Sequence, residues 1–401
     1  MEFMKGQPLM DIRDEYEPDR DTCSESEIAE IFPLHYQVKK KTQLSESFQD
    51  SNTCVRLVAD NKEANLAAAS KKGEITLVNV DTATKMATFS AHTSEVTSLK
   101  FCPVNSNLLY SSSLDNTVKV WDLRSNNSEQ SYQYTEEDCN SMEFTCLDVN
   151  SSGEFLCAGT SLLNEESAYL IFWDARNNKK TLGGYSESHS DDITHLKFHP
   201  SKRHILASGA MDNLINVYDI MKPSEADAFS HCIDFGTTPD YISWDRHSSH
   251  SSKLFAVNYP QQVQYWDIDG TKPIADLSAK RLCKAMKRQR PEQCHFISLN
   301  YDSDLNPMLM VSSNLSCESQ QDACIRTITY NREKNRVKPH AVFELKGNKS
   351  VQVYDSVFLP TTEVFVTLES GCLRYWGSQG QKRSQQNSLN ADNANSKKLK
   401  Q

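Results

Sequence analysis

The chain has 401 residues, a formal net charge of −10 and a sequence pI of about 5.6. An acidic chain is not a general nucleic-acid binder, because it repels the phosphate backbone. No apolar run approaches the roughly 18 residues of a membrane span, and the acidic N-terminus is unlike a signal peptide. The twelve cysteines form no CxxC pair. We therefore expect an intracellular protein with reduced thiols, no membrane segment, no cofactor, no metal site and no disulfide framework.

The chain begins with an acidic segment. Its first 30 residues contain ten acidic and three basic side chains, and the few apolar residues among them follow no helical or strand period. Because such a composition cannot bury a core, we expect a disordered arm over residues 1–32. The arm can be a solvated tail, or it can shield a basic partner such as a histone or a ribosomal protein. Residues 33–44, PLHYQVKKKTQL, then predict a lone strand ahead of the repeats that follow.

The clearest repeat unit spans residues 91–122. It predicts three short strands, over residues 96–101, 108–113 and 117–121, with a turn at 114–116 between the last two. A histidine opens the unit, an aspartate lies in the turn, and Trp-Asp closes it. That order is typical of one blade of a WD-repeat β-propeller.

The polar residues of this unit predict a structural relay. The Trp121 N–H can donate to a serine of the middle strand, Ser111 or Ser113, the serine to His92, and the His92 ring to Asp115. A serine, a histidine and an aspartate also suggest a catalytic triad. The spacing favours the relay, because it is the spacing of the blade motif.

Each repeat ends at a recognisable pair of residues. The pairs are Val80-Asp81, Trp121-Asp122, Trp173-Asp174, Tyr218-Asp219, Trp266-Asp267, Tyr330-Asn331 and Trp376-Gly377. Their intervals are 41, 52, 45, 48, 64 and 46 residues, against about 40–45 for one blade. The sequence therefore predicts an all-β, seven-bladed WD-repeat β-propeller over residues 33–376. Strand 33–44 is expected to pair into the last blade, which removes an open sheet edge.

The fourth repeat keeps the order of the second. His189, Asp212 and Tyr218 stand at the relay positions, with tyrosine in the place of tryptophan. The other five repeats lack a complete relay, so we expect them to depend more on strand packing.

The 64-residue interval contains a basic insertion over residues 279–290. It contains six cations, Lys280, Arg281, Lys284, Lys287, Arg288 and Arg290. It can be a solvated loop between blades, or a contact for nuclear import or RNA phosphate. No aromatic residue is interleaved, so we expect no sequence-specific nucleic-acid binding.

Residues 377–401 are rich in Gln, Asn, Ser and Lys and predict a disordered, polar and basic tail. Two basic clusters in the tail are candidates for a bipartite nuclear-localisation signal: Lys382 and Arg383, then Lys397, Lys398 and Lys400.

A longer stretch strengthens the resemblance to the WD-repeat family. LIFWDAR (170–176), GGYSESHSDDITHLKFHP (183–200) and ILASGAMDNLINVYDI (205–220) follow one another as in that family. The resemblance implies a propeller scaffold without an assigned catalytic activity, nuclear in at least part of its distribution. No catalytic constellation competes with it, so we expect a non-enzymatic protein-interaction scaffold that is monomeric on its own.

A propeller presents its partner surface at one rim, beside strand starts and turns. By position, the candidates for partner contact are Glu95, Leu114, Asp192, Met211 and Tyr241.

A second hypothesis concerns the motif Trp-Asp-x-Arg, which in substrate receptors of cullin-RING ubiquitin ligases carries an arginine that reaches the adaptor. The sequence has two copies, which end at Arg124 and Arg176. A third hypothesis is a chaperone or assembly factor for a basic ribosomal protein or histone. All three functions stay open at this point.

Overall fold

The computed structural model describes residues 19–44, 54–124, 132–134, 142–163, 167–176, 181–247, 252–258, 262–313, 324–345 and 352–378. These residues form short strands in groups of four, each group one blade of a β-propeller. None of the helices in these ranges combines the length and apolar character that a membrane crossing needs.

Five blades are separate four-stranded sheets whose strands follow one another from the central channel outward. Blade one contains β2 (Cys54–Ala59), β3 (Asn65–Ser70), β4 (Glu74–Asn79) and β5 (Thr84–Ser90). Blade two contains β6 (Val96–Phe101), β7 (Leu108–Ser113), β8 (Thr117–Asp122) and β9 (Tyr132–Tyr134). Blade three contains β10 (Phe144–Val149), β11 (Phe155–Thr160), β12 (Leu170–Asp174) and β13 (Thr181–Tyr185). Blade four contains β14 (Ile193–Phe198), β15 (Ile205–Ala210), β16 (Leu214–Asp219) and β17 (Phe229–Asp234). Blade five contains β18 (Pro239–Trp244), β19 (Lys253–Asn258), β20 (Val263–Asp267) and β21 (Ala275–Leu277).

Blades six and seven share one eight-stranded sheet. Blade six contains β22 (Cys294–Tyr301), β23 (Pro307–Ser313), β24 (Cys324–Asn331) and β25 (Arg336–Phe343). Blade seven contains β26 (Val353–Leu359), β27 (Val364–Glu369), β28 (Cys372–Ser378) and β1 (Leu34–Gln43). The helices are α1 (Glu25–Ile31), α2 (Glu225–Ala228) and α3 (Ala279–Met286), with a 3₁₀ turn at Pro291–Gln293. The fold is therefore an all-β WD-repeat propeller, and the described strands make seven blades.

The ring is closed by the N-terminal strand. β1 pairs antiparallel with β28, with Tyr36 opposite Ser378 and Gln43 opposite Cys372. The first residues of β1 also pair in parallel with β25, where Leu34 lies opposite Ala341. β1 therefore supplies the outer strand of blade seven and joins it to blade six. The domain limits remain predictions. Residues 377 and 378, which were predicted to belong to the tail, are part of β28.

The side chains of each strand are buried according to its place in the blade. Middle strands such as β7 and β15 are buried on both faces, because a neighbouring blade covers each face. The outer strands β5 and β17 are mostly exposed. Apolar clusters fill the seven interfaces between neighbouring blades of the described chain. The core is therefore a ring of interfaces rather than one central cluster.

The innermost strand of each blade runs from one face of the ring to the other, and the later strands alternate in direction. We call the face where the innermost strands begin the upper face, and the opposite one the lower face. His92, which precedes β6, and the turn between β7 and β8 lie on the upper face. The residues that follow β8 lie on the lower face.

The prediction of a disordered arm over residues 1–32 is wrong for residues 19–32, which we call the strap. Ser24 caps α1 in a capping box, in which its backbone N–H donates to Glu27 Oε2 over 2.8 Å. Phe32 is completely buried, and the guanidinium of Arg326 lies 5.2 Å from its ring centroid. The strap crosses blade six on the upper face, where Gln293 and Ser313 bind it. Residues 1–18 lie outside the described part of the chain.

The basic insertion at 279–290 forms α3 instead of a solvated loop. One face of α3 carries Leu282, Cys283, Ala285 and Met286, all buried in the cluster between blades five and six. Its charged residues lie on the other face because apolar residues at positions i, i+3 and i+4 share one side of a helix. α3 therefore fills the junction between these two blades.

Candidate functional site

The polar residues of blade two lie in one hydrogen-bonded chain. The Trp121 indole N–H donates to Ser111 Oγ over 2.9 Å, and Ser111 Oγ lies 2.7 Å from His92 Nε2. His92 Nδ1 lies 3.0 Å from Asp115 Oδ2, which also accepts the backbone N–H of Thr93. Burial lowers the pKa of His92, so the neutral ring carries its proton on Nδ1 and donates it to Asp115. Of the two serines considered for the relay, the structure places Ser111 in it.

The electrostatics of Asp115 fit this arrangement. Burial opposes its ionisation, but hydrogen bonds from His92, Thr117 and the Thr93 N–H outweigh burial and hold its pKa below the ordinary value. Asp115 is therefore a carboxylate, and it fixes both the histidine ring and the turn.

Blade four repeats the geometry with a phenol. His189 Nδ1 lies 2.8 Å from Asp212 Oδ2, and His189 Nε2 lies 2.7 Å from Ser208 Oγ. Ser208 Oγ donates to the Tyr218 hydroxyl over 3.3 Å. The hydrogen bonds of Asp212 again hold its pKa below the ordinary value against the effect of burial.

Two backbone conformations position the blade-two relay. Gly73 has φ +80°, and a Cβ there would lie 2.1 Å from the His92 carbonyl oxygen. This close approach lets the Gly73 carbonyl accept the His92 N–H over 3.0 Å. Asn116, which follows Asp115, has φ 66°, a conformation that asparagine tolerates in turns.

The relay serines are closed to solvent. Ser111 and Ser208 have no exposed surface, and His92 is 3% exposed. A nucleophile must reach its substrate, so these groups stabilise the blade and have no access for catalysis. Among the described residues, no three His, Cys, Asp or Glu side chains come together as a metal site would require.

The rim candidates fall into two equivalent pairs on the upper face. The backbone N–H of Leu114 donates to the Glu95 carbonyl over 3.1 Å, and that of Met211 donates to the Asp192 carbonyl over 2.8 Å. Met211 is 46% exposed. Asp192 is less free, because its carboxylate accepts the backbone N–H of Leu162 in blade three over 2.6 Å.

The upper face carries a row of carboxylates that sequence reasoning did not assemble. Each lies at or next to the start of an innermost strand of blades two to five; we call them the acidic rim, and they are Glu95, Glu143, Asp191, Asp192 and Asp240. Glu143 and Asp240 are exposed. Burial raises the pKa of Asp240. The sequence signal is an acidic residue directly before the innermost strand in three successive repeats (Glu95, Glu143 and Asp192), followed by Asp240 at the second position of that strand in the next repeat.

The prediction that Tyr241 lies at the rim is wrong. Its ring packs between His195 and Phe296, with centroid distances of 5.2 and 5.7 Å. It lines a cavity that opens on the lower face. Tyr241 belongs to β18, the innermost strand of blade five, and its side chain lies in the wall of the channel. The distance of a residue from the start of its strand does not show whether its side chain lies at the rim or in this wall.

The two Trp-Asp-x-Arg arginines lie on the lower face of neighbouring blades. Arg124 and Arg176 are 66% and 61% exposed. Arg124 Nε donates to Asp122 Oδ1 over 2.9 Å, and Arg176 Nε donates to Asp174 Oδ1 over 3.0 Å. These contacts raise the pKa of each guanidinium, and the aspartate of the motif orients each arginine.

The acidic strap and the basic insertion bind each other. Arg288 Nε lies 3.0 Å from Asp19 Oδ2, and Arg288 Nη1 lies 3.1 Å from Asp21 Oδ1. Arg326 Nη1 lies 2.7 Å from Asp21 Oδ1, and Ser313 Oγ donates to Asp19 Oδ2 over 2.5 Å. The side chains of Asp19 and Arg288 are 0% and 2% exposed. Arg288 is therefore unavailable to RNA or an import receptor, and Asp19 is unavailable to a basic partner.

The sequence pattern singles out both the acidic segment and the basic insertion, but it does not predict that they bind each other. The signal was available, because the acidic segment and the basic insertion have opposite charge. Of the other cations in the insertion, Arg281 donates to the Asp276 carbonyl over 3.0 Å, whereas Lys280 and Lys284 are exposed. The nuclear-localisation candidates Lys382, Arg383, Lys397, Lys398 and Lys400 lie outside the described residues.

Comparison with known protein families identifies two repeats. The family described as "WD domain, G-beta repeat" matches residues 83–122 and 179–219. Each matched stretch ends at the third strand of a blade that contains a complete His-Ser-Asp relay. The chain therefore contains WD repeats.

Similar curated proteins are also WD-repeat proteins. A "WD repeat-containing protein 89 homolog" of Dictyostelium discoideum is 25% identical over 66% of this chain and 69% of its own length. A WD repeat-containing protein of Saccharomyces cerevisiae is 31% identical over 48% of each chain. "Histone acetyltransferase type B subunit 2" of Candida albicans is 29% identical over 42% of each chain. The match thus spans about half the length of the latter two relatives.

These relationships, the propeller fold and the closed relays agree on the broad class. The family that matches the two relay blades is the WD repeat, a class of interaction scaffold, and two of these relatives carry the words WD repeat-containing in their names.

Proposed function

We propose that this WD-repeat chain is a nuclear, non-enzymatic scaffold that holds a basic protein, a histone or a ribosomal protein, on its acidic rim during assembly. The observation that carries the proposal is the row of carboxylates on the upper face of blades two to five. Two of them, Glu143 and Asp240, are exposed to a partner.

The charge of the rim is available because little on the same face neutralises it. Glu95 has one weak partner, Lys71, whose Nζ lies 3.7 Å from Oε1 and whose side chain is 48% exposed. Exposed pairs at such distances contribute little. A lysine- or arginine-rich segment can therefore approach several carboxylates at once and gain from long-range attraction.

The strap limits where such a partner can lie. It covers the upper face of blade six, where Asp19 and Asp21 already bind Arg288 and Arg326. The acidic residues of the strap thus stabilise the fold. We assign the binding of a basic partner, which the sequence suggested for the arm, to the acidic rim. The acidic rim, on blades two to five, lies outside the part of the upper face that the strap covers.

One relative supports the choice of a histone as a probe. The Candida albicans protein that matches 42% of this chain carries the word histone in its name. A basic ribosomal protein meets the same charge requirement, so both are tested as partners.

The decisive experiment reverses charge at two exposed rim positions. The full-length double variant Glu143→Lys with Asp240→Lys is compared with wild type for binding to purified core histones and to a purified basic ribosomal protein by isothermal titration calorimetry. Binding to the true partner should weaken about tenfold or more at 0.1 M salt. The difference should shrink at 0.5 M salt, because exposed charges are screened.

A matched control separates the rim from net charge. Asp304→Lys with Glu333→Lys makes the same change in charge at two exposed turns on the lower face. The proposal predicts a much smaller loss for this pair. An equal loss for both pairs, or none for the rim pair, would refute it.

A second function is supported by the two lower-face arginines. Arg124 and Arg176 lie in neighbouring blades, each oriented by the aspartate of its own motif and each more than half exposed. That arrangement suits a single flat adaptor surface of a cullin-RING ubiquitin ligase. We propose the receptor role as the alternative to the assembly role.

Co-purification decides between the two. Arg124→Ala with Arg176→Ala should abolish capture of a ligase adaptor by the full-length protein. Arg203→Ala with Lys222→Ala, which removes two exposed cations from the same face of blade four, should leave it intact. If the variant Arg124→Ala with Arg176→Ala still captures the adaptor as wild type does, both arginines are ordinary surface residues.

The nuclear part of the proposal depends on the tail. Alanine at Lys382, Arg383, Lys397, Lys398 and Lys400 should shift the full-length protein to the cytoplasm, as seen by imaging. The control replaces five exposed lysines of the propeller, Lys62, Lys202, Lys222, Lys272 and Lys334. Nuclear retention of the tail variant would contradict this part.

A further inference from the structure

A cavity of about 490 Å³ opens on the lower face at the mouth of the central channel. Its wall comes from the innermost strands of blades two to six and from the loops that follow the innermost strands of blades one to five. Cavities of roughly 300–1,000 Å³ are the usual size for small-molecule sites. It lies opposite the acidic rim and contains no residue of the two Trp-Asp-x-Arg motifs.

The charged side chains in the wall are mostly cations. Lys100, Lys197 and Arg246 line the cavity, and Asp148 is the carboxylate among its lining residues. In a chain with a net charge of −10 this is a local reversal of sign. The lower mouth of the channel is therefore positive where the upper rim is negative.

The carboxylate in the wall is already engaged. Asp148 Oδ1 lies 2.8 Å from Lys100 Nζ, and Asp148 Oδ2 accepts the backbone N–H of Phe198 over 2.8 Å. Although burial opposes its ionisation, the nearby lysines hold the pKa of Asp148 below its ordinary value. Asp148 thus pairs with Lys100, and its charge also attracts Lys197.

Neither Lys197 nor Arg246 forms an ion pair with another described residue. Arg246 lies with its guanidinium 5.0 Å from the ring centroid of Tyr301. Burial, together with Lys100, Arg56 and Arg246, lowers the pKa of Lys197 to about 8 in spite of Asp148. A further carboxylate of the channel, Asp355, is bound by the backbone N–H of Leu57, and burial raises its pKa.

Lys197 is half-buried in the wall and Arg246 is exposed at the opening, so an anion that enters the cavity meets a cation at each place. We propose that the lower-face cavity is a binding site for a small molecule that bears phosphate groups. Lysine serves as a point-charge partner for phosphate, and the stacked guanidinium of Arg246 offers planar donors to phosphate oxygens. Lys100 completes the set and stays paired with Asp148.

The arrangement favours a small phosphate compound over a protein segment. The cations line one cavity together with Tyr241 and Trp244 instead of following a groove along the surface. An extended acidic peptide needs a groove along which it can bind. A compact polyanion needs only a cavity into which its phosphate groups can enter.

The test measures pyrophosphate binding to the full-length protein by isothermal titration calorimetry, with inorganic phosphate and a polyglutamate peptide as separate arms. Lys197→Met keeps the length of the side chain and removes the charge. Lys202→Met, at an exposed position of the same face, makes the same change outside the cavity. The inference predicts that pyrophosphate binds wild type and Lys202→Met alike, and Lys197→Met at least tenfold more weakly.

A stability measurement guards against a folding defect. In phosphate-free buffer, Lys197→Met should melt at the same temperature as wild type or higher, because it removes a charge whose burial opposes folding. Pyrophosphate should raise the melting temperature of wild type and of Lys202→Met, and leave that of Lys197→Met unchanged. Absence of pyrophosphate binding to wild type, equal binding by Lys197→Met, or tighter binding of polyglutamate than of pyrophosphate would each overturn the inference.

Discussion

Blade two and the junction between blades five and six are held together by different means. In blade two, His92, Ser111, Asp115 and Trp121 lie within thirty residues of one another and form a closed relay. At the junction, α3 and the strap come from segments far apart in the chain, and Arg288 binds Asp19 across a separation of 269 residues. A motif with fixed spacing can be recognised from a sequence, whereas a contact between distant segments depends on how the ring closes.

This difference changes how the acidic segment should be tested. Deletion of the first 30 residues looks like a test of an acidic arm. It would also remove Asp19, Asp21 and α1, which hold blade six. Loss of partner binding in that deletion would therefore report unfolding as well as lost charge, and point variants on the acidic rim avoid the problem.

The largest effect is expected at the junction. Arg288→Met removes the ion pair between Arg288 and the buried carboxylate of Asp19, and breaking a buried pair costs about 3–5 kcal/mol. Chemical denaturation of the full-length protein measures the loss. Lys280→Met, on the exposed face of α3, is the control and should change the free energy of unfolding by about 0.5 kcal/mol or less. Equal stability of the two variants would show that the strap does not support the junction.

Blade seven offers an intermediate case, because it keeps part of the relay. The Trp376 N–H donates to Thr367 Oγ1 over 2.9 Å, and Thr367 donates to Glu369, which lies 2.6 Å from Arg374 Nε. Burial raises the pKa of Glu369 to about 7 from 4.5. A folded-state pKa above the unfolded value gives stability that is complete below the unfolded pKa and is lost as pH rises through about 7.

The stability of wild type relative to Glu369→Gln should therefore fall as pH rises from 4.5 to 7, by up to about 3 kcal/mol. Denaturation curves at several pH values measure the difference. Glu333→Gln, at an exposed turn, should give a difference from wild type that stays constant with pH. A constant difference for Glu369→Gln would mean that Arg374 compensates its burial completely.

The blade-two relay is expected to give a smaller loss. Ser111→Ala removes the acceptor of the Trp121 N–H and the partner of His92 Nε2, and leaves two buried groups unsatisfied. The cost is about 2 kcal/mol, within the range for buried polar groups that lose a partner. Thr93→Ala, beside His92 with an exposed side chain, is the control in the same denaturation assay. A loss no greater than that of the control would remove the relay as the element that holds this blade.

The smallest effect is expected on the lower face. Arg124→Ala breaks an exposed contact with Asp122, two residues away, and should leave the free energy of unfolding close to that of wild type. Thermal denaturation checks this expectation. A much larger loss would make the arginine structural and would weaken its use as a test of adaptor binding.

The sequence alone determined the repeat, because each blade is a local unit with strands, turns and a relay at fixed spacing. Strand ends such as Trp121-Asp122 and Tyr218-Asp219 gave the blade period, and the two complete relays lie in the blades that match the WD family. The same spacing indicated that His92 and His189 hold equivalent positions in the relays of blades two and four. These features depend on neighbours in the chain, which a sequence displays directly.

Tertiary structure alone decided which distant residues meet. It brought Asp19 to Arg288, lined up the acidic rim from four repeats, and turned Tyr241, Lys197 and Arg246 toward one cavity. Whether a charge is exposed, paired or buried depends on the segment packed against it, and that segment can lie hundreds of residues away. The physical reason is that closure of the ring sets the distances between residues that are far apart in the chain. The spacing of residues along the sequence does not contain these distances.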